Sequence, residues 1–144
     1  MFADTLLQLE RGHLLRLLLW AAASVVAGTA LITTLMVART RSRLLSGFSA
    51  TVGACGVAEL AAGAWGWQGL GLLDLAGATR LDRLLWLAMG LDVGLVASGV
   101  VLAIAAWRFG HRSGALGAGL AIAMHGAALL SLHARFALAL QGLV

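Results

Sequence analysis

Three ionisable side chains stand inside apolar sequence: Glu59 in "VAELAAG", Asp92 in "WLAMGLDVGL" and His125 in "MHG". Asp92 is the only ionisable residue between Leu84 and Trp107. Two carboxylic acids and an imidazole at one depth of an apolar medium have coupled titrations, and a proton can be moved or a cation held among them. The same three groups, neutral or as a single ion pair, can instead hydrogen-bond between helices and fix their register. Interhelical bonding is the first reading of this cluster and a working proton or ion site the second. Asp92 is expected to face Glu59 or His125. His13 and His133 near the two chain ends outline a bis-histidine haem site, although neither lies in a ligand motif, and contact with lipid headgroups suits their positions better. His111, between Arg108 and Arg112, reads as a solvated loop residue.

Other chemistry is thinly represented. Cys55 is the only cysteine, so an intrachain disulfide and a CxxC metal knuckle are both excluded. No nucleophile elbow, phosphate-cradling glycine loop, HExxH or dinucleotide fingerprint occurs. Ser24, Thr29, Thr33 and Thr34 have no base near them in sequence, and hydroxyls in such runs commonly bond back to their own helix. The expectation is therefore a protein that is not an enzyme, with no metal and no cofactor.

The elements that must position these groups follow from composition. Of 144 residues 61% are hydrophobic and 11% charged, against about 45 to 50% apolar and about 25% charged in soluble domains. Mean hydropathy is +0.96. Four runs, about 17–38, 44–67, 84–107 and 114–134, approach the roughly 20 residues that a helix needs to cross a bilayer. Backbone groups in lipid must pair within their own segment, so these runs are helices. Three short connections, "RTRSR", "DLAGATRLDR" and "RFGHRS", make successive helices antiparallel neighbours. The expected fold is an all-α, single-domain, up-down-up-down four-helix integral membrane bundle spanning residues 1–144. The opening "MFADTLLQLERGHLLRLLLW" is too acidic for the leading region of a signal peptide, so the first run is retained as a span.

All ten basic residues are arginine. With the Ala, Gly and Leu content, this points to a GC-rich bacterial gene and hence to the cytoplasmic membrane. The arginines lie at the ends of apolar runs and are not interleaved with aromatics on a polar face, so nucleic acid is not an expected partner. They divide evenly, five on each side of the four spans. "RTRSR" is the densest group, which places it inside and both termini outside by the positive-inside rule. Trp20, Trp65, Trp67 and Trp86 mark one interfacial belt and Trp107 the other. Glu59 lies six residues before Trp65 and Asp92 six after Trp86, about 9 Å inside the belt in each case, and His125 falls within about one turn of that level.

Small residues flank each polar position. Gly56, Glu59, Gly63 and Gly66 form one stripe, Ala88, Asp92, Gly99 and Ala103 a second, and Ala118, Ala121, His125 and Ala128 a third, each on the face where a neighbouring helix can come close. Gly90 and Gly94 make a GxxxG pair pointing away from Asp92. That second face can meet another helix of the chain or a second subunit.

The stretch "LDRLLWLAMGLDVG" (81–94) resembles the third-helix signature of an uncharacterised family of small bacterial four-helix membrane proteins. The resemblance implies fold and membrane location, with no assigned activity. In that family the second helix carries amides and the fourth an amide before a glycine, where this chain has "VAELAAG" and "MHG". The sequence thus leads to a non-enzymatic accessory or structural subunit that self-associates or packs against other membrane subunits within the lipid bilayer. The alternatives are an oligomeric proton- or ion-coupled carrier using Glu59, Asp92 and His125, and a haem-bearing electron-transfer module using His13 and His133.

Overall fold

A computed structural model describes residues 2–142. They form four helices, α1 (Phe2–Val37), α2 (Arg43–Gln68), α3 (Leu75–Arg108) and α4 (Ser113–Gln141), with no strand among the described residues. Each apolar run lies within one helix, to within a residue. Two helix starts have a side-chain cause. Ser42 Oγ accepts from the Leu45 amide at 3.3 Å, and Asp74 Oδ1 accepts from the Gly77 amide at 2.7 Å, each satisfying a donor that the first helical turn leaves free. Asp74 explains a difference from the sequence reading. Residues 75–83, taken as loop, continue α3 backwards from Leu84, and only residues 69–74 connect α2 to α3. Arg39 and His111 follow the ends of α1 and α3 in left-handed conformation, with φ of 51° and 49°.

Close helix approach is carried by glycine. A methyl on Gly28 would lie 2.7 Å from the Gly53 amide nitrogen, and one on Gly56 would lie 2.8 Å from the Ala21 carbonyl, so α1 and α2 pack backbone to backbone. The order of these contacts, 28 with 53 and 21 with 56, makes the pair antiparallel. Gly119 approaches Ala103 and Gly126 approaches Asp92 and Val96, which makes α3 and α4 antiparallel too. Gly47 meets Gly114, and Gly117 meets Leu44 and Phe48. These join α2 and α4, which run in the same direction.

The helices alternate in direction as expected, but they do not form a closed square. Among the described residues α4 touches α1, α2 and α3; α1 also packs on α2; α3 packs on α4 alone. The short connection was expected to make α2 and α3 neighbours, yet α4 stands between them. The reason is the distribution of small residues. Gly99, Ala103 and Ala106 on α3 fit the small face of α4 at Gly119 and Ala123, whereas α2 spends its glycines Gly56 and Gly63 on α1.

The interior is built of small side chains such as Ala21, Ala103, Ala106 and Ala121. The one cluster of bulky residues among the described residues, Leu85 and Phe136 with Leu9, Leu81, Met89 and Leu140 against them, lies at the end that holds the described N-terminus. Large apolar side chains face outward instead: Val26, Leu91, Val101 and Ile104 are each more than half exposed. All four helices are long and apolar enough to cross a membrane, their most apolar windows having mean hydropathies of 1.9, 1.4, 2.1 and 1.7.

Candidate functional site

α4 carries two histidines eight residues apart, and each is bound to a carboxylate from a different helix. His125 Nδ1 lies 2.8 Å from Glu59 Oε1 on α2. His133 Nδ1 lies 2.6 Å from Asp92 Oδ2 on α3. His125 and Asp92 are buried, while Glu59 and His133 keep only 14% and 13% of their side-chain surface. α1 closes the other side. Trp20 meets His125 edge-on, with ring centroids 5.6 Å apart, and His13 sits 5.2 Å from His133 while stacking on Phe136 at 4.4 Å. Residues from all four helices thus converge on two positions of α4 about two turns apart.

The Glu59 and His125 pair joins two members of the expected cluster, but Asp92 binds neither of them. Its partner is His133, which the sequence reading had put at a headgroup-facing end. The cause is the lean of helical side chains towards the N-terminus of their own helix. The backbone of Asp92 is level with Gly126, one residue from His125. Because α3 and α4 are antiparallel, Asp92 leans towards the C-terminal part of α4, and His133 leans back to meet it. His125 leans the opposite way. α2 and α4 are parallel, so Glu59 and His125 lean together and stay in reach. A depth ruler based on Cα positions ignores this lean. Adding it to the sequence would have pointed to His133.

His13 also departs from its expected place, since it is 5% exposed and packed among rings rather than at a polar surface. As a haem pair, His13 and His133 are tilted by 50° and lean on each other and on Phe136. They are not opposed across a slot that would admit a macrocycle, and His133 has its Nδ1 engaged by Asp92. No group of three His, Cys, Asp or Glu side chains converges to hold a metal ion among the described residues.

The glycines separate into two classes. Gly56 and Gly63 are buried against α1, at Ala21, Ser24 and Leu18. Gly90 and Gly94 face open space, with nothing from another helix among the described residues within 4 Å of an added methyl. The GxxxG face therefore meets no other described helix of the chain. The hydroxyls follow the back-bonding pattern: Ser24 donates to the Trp20 carbonyl, Thr33 to Thr29, Thr34 to Ala30 and Ser49 to Leu45.

Chemically, each pair shares one proton between an imidazole nitrogen and a carboxylate oxygen. Several enclosed atoms of the same assembly have no hydrogen-bond partner among the described residues, namely His125 Nε2, Glu59 Oε2, His13 Nδ1 and Trp20 Nε1. Buried polar atoms are paired in the great majority of cases. With Glu10 Oε2 on α1 these four are the enclosed side-chain atoms among the described residues that keep unused bonding capacity.

Residues 16–134 match the model of a family of unknown function, DUF6992, and the chain belongs to that family. The match reaches far beyond residues 81–94, which carried the resemblance; it includes both histidine–carboxylate pairs and leaves His13 outside. No curated protein and no solved structure matches the chain.

Proposed function

We propose that the chain is a four-span integral protein of the bacterial cytoplasmic membrane and acts as an accessory subunit, without catalysis of its own, that packs against other membrane helices. The observation that carries this reading is the isolation of α3. That helix packs on α4 only, and its Gly90 and Gly94 lie open beside exposed Leu87, Leu91 and Val93. A backbone made accessible in this way is what close helix association in lipid uses. The outward-facing apolar side chains and the four long apolar helices support the membrane setting. In this reading the two histidine–carboxylate pairs are clasps that hold α2 and α3 to α4. Membrane fractionation followed by purification in mild detergent tests the proposal. A partner subunit or a second copy should copurify with wild type and be lost with Gly94→Leu, while the variant still inserts. Association unchanged in Gly94→Leu would sink it. Reporter fusions in Arg39–Arg43 and after Gly142 should report opposite sides, with the arginine cluster cytoplasmic.

A second reading, a proton-coupled carrier, is favoured by one observation, the unpartnered Nε2 of His125 and Oε2 of Glu59 on an already bonded pair. Such atoms can pass a proton onward. It requires proton flux in liposomes containing wild type that vanishes with Asp92→Asn or Glu59→Gln, because an amide cannot release the proton.

A further inference from the structure

α1 and α4 have the slightest of the four helix contacts among the described residues, and a groove of about 470 Å³ opens between them. Arg16 stands on the α1 wall and Arg135 on the α4 wall, both exposed. Among the described residues no carboxylate pairs with either guanidinium. Because the helices are antiparallel, the two walls change character together. One turn inward from Arg16 come Leu19 and Trp20, and one to two turns inward from Arg135 come Leu132 and Ala128. The groove is thus doubly cationic at one end and, apart from Ser131, whose hydroxyl donates to the Ala127 carbonyl, apolar over the next ~10 Å. Its cationic end lies near the belt marked by Trp20.

We propose that this groove binds an anionic phospholipid, with the phosphate between Arg16 and Arg135 and an acyl chain along Leu19, Trp20, Leu132 and Ala128. Charge decides the occupant. A neutral transmembrane helix would leave two guanidiniums facing an apolar surface, whereas a phosphate oxygen accepts several guanidinium hydrogen bonds at once. Basic recesses between membrane helices hold anionic headgroups for this reason. The order of the chemistry, anion site outermost and hydrocarbon site within, is that of a lipid lying parallel to the helices. The inference rests on the membrane location proposed above.

The test uses the full chain in maltoside micelles, titrated with dioleoylphosphatidylglycerol or dioleoylphosphatidylcholine, with bound lipid counted by native mass spectrometry. Wild type should bind the first phosphatidylglycerol well ahead of phosphatidylcholine. Each basic group near an anionic headgroup is worth about fivefold in affinity, so Arg16→Gln with Arg135→Gln should weaken that first site about 25-fold. Ala128→Phe, which fills the apolar end and keeps both charges, should weaken it too. Arg39→Gln with Arg41→Gln, equal in charge lost, should leave it within threefold. Equal loss in the two arginine pairs, equal affinity for the two lipids, or an unaffected Ala128→Phe would overturn the groove. A chain that enters neither phosphatidylglycerol nor phosphatidylcholine liposomes fails the membrane reading itself, and insertion into both without preference fails only the lipid site.

Discussion

Removing Asp92 should break a bond to His133, and the size of the effect can be worked from the geometry. The pair is 2.6 Å apart, with 5% of the aspartate and 13% of the histidine side chain accessible. Asp92→Leu strands the His133 nitrogen in a nearly enclosed place, which costs about 1 to 3 kcal/mol. Asp92→Asn keeps an acceptor oxygen at the same position and should cost about 1 kcal/mol or less. The interaction itself is isolated by a double-mutant cycle with His133→Leu. Polar pairs between membrane helices average about 0.6 kcal/mol and reach about 1.7 kcal/mol, and this short, enclosed pair belongs at the upper end. A parallel cycle of Asp92→Leu with His125→Leu should give coupling near zero, since His125 is bound to Glu59. The assay is reversible unfolding of detergent-solubilised protein with increasing dodecyl sulfate, followed by tryptophan fluorescence and helicity. Coupling greater for His125 than for His133 would refute the pairing and restore the arrangement that Cα depth alone implies.

Three further outcomes follow from the packing. Gly119→Ala places a methyl 2.6 Å from the Ala103 amide nitrogen and should lower stability by about 1 to 3 kcal/mol in the same titration, whereas Gly90→Ala, with nothing within 4 Å, should be neutral or raise it by up to about 1 kcal/mol through helix propensity. Phe136→Ala empties the centre of the only bulky apolar cluster among the described residues and removes the ring stacked on His13, a loss of about 3 to 5 kcal/mol by the same measurement. Asp74→Ala deletes the cap of α3 and should cost about 1 kcal/mol while increasing amide hydrogen exchange at Ala76–Ala78.

The number and placing of the helices were legible because lipid-length apolar runs leave little choice of structure. The stripes were legible in part for a related reason: Gly56, Gly63, Asp92, Gly99, Ala103, Ala121 and His125 are buried, while Glu59, Gly66, Ala88, Ala118 and Ala128 are half-buried. The partner of each polar group was harder to read, because it depends on helix direction and side-chain lean acting together. Glu59 finds His125 across parallel helices, and Asp92 misses it across antiparallel ones. The layout was not readable from loop length. A connection of residues 69–74 reverses the chain, but which helix α3 then packs against is decided by the fit of Gly99 to α4, a contact whose partner lies further along the chain. The burial of His13 was not readable for a local reason. It stands in a stretch with Glu10, Arg11 and Arg16 that reads as polar, yet only the face bearing Leu6 and His13 turns inward.

The isolation of α3 also bears on the order in which the molecule can be assembled. Ribosomal synthesis delivers α1 and α2 ahead of α3 and α4, and these two can pair at once through Gly28 and Gly56. α3 emerges next with no docking surface on what precedes it, since its packing partner is α4 alone. It must wait, with Asp92 unpaired, until His133 is made 41 residues later. The second hairpin then joins the first through a single helix. Among the described residues the helix contacts between the two hairpins are thereby postponed until α4 is made, and a nascent chain halted before α4 holds one finished hairpin and one helix whose carboxylate has yet to meet its base.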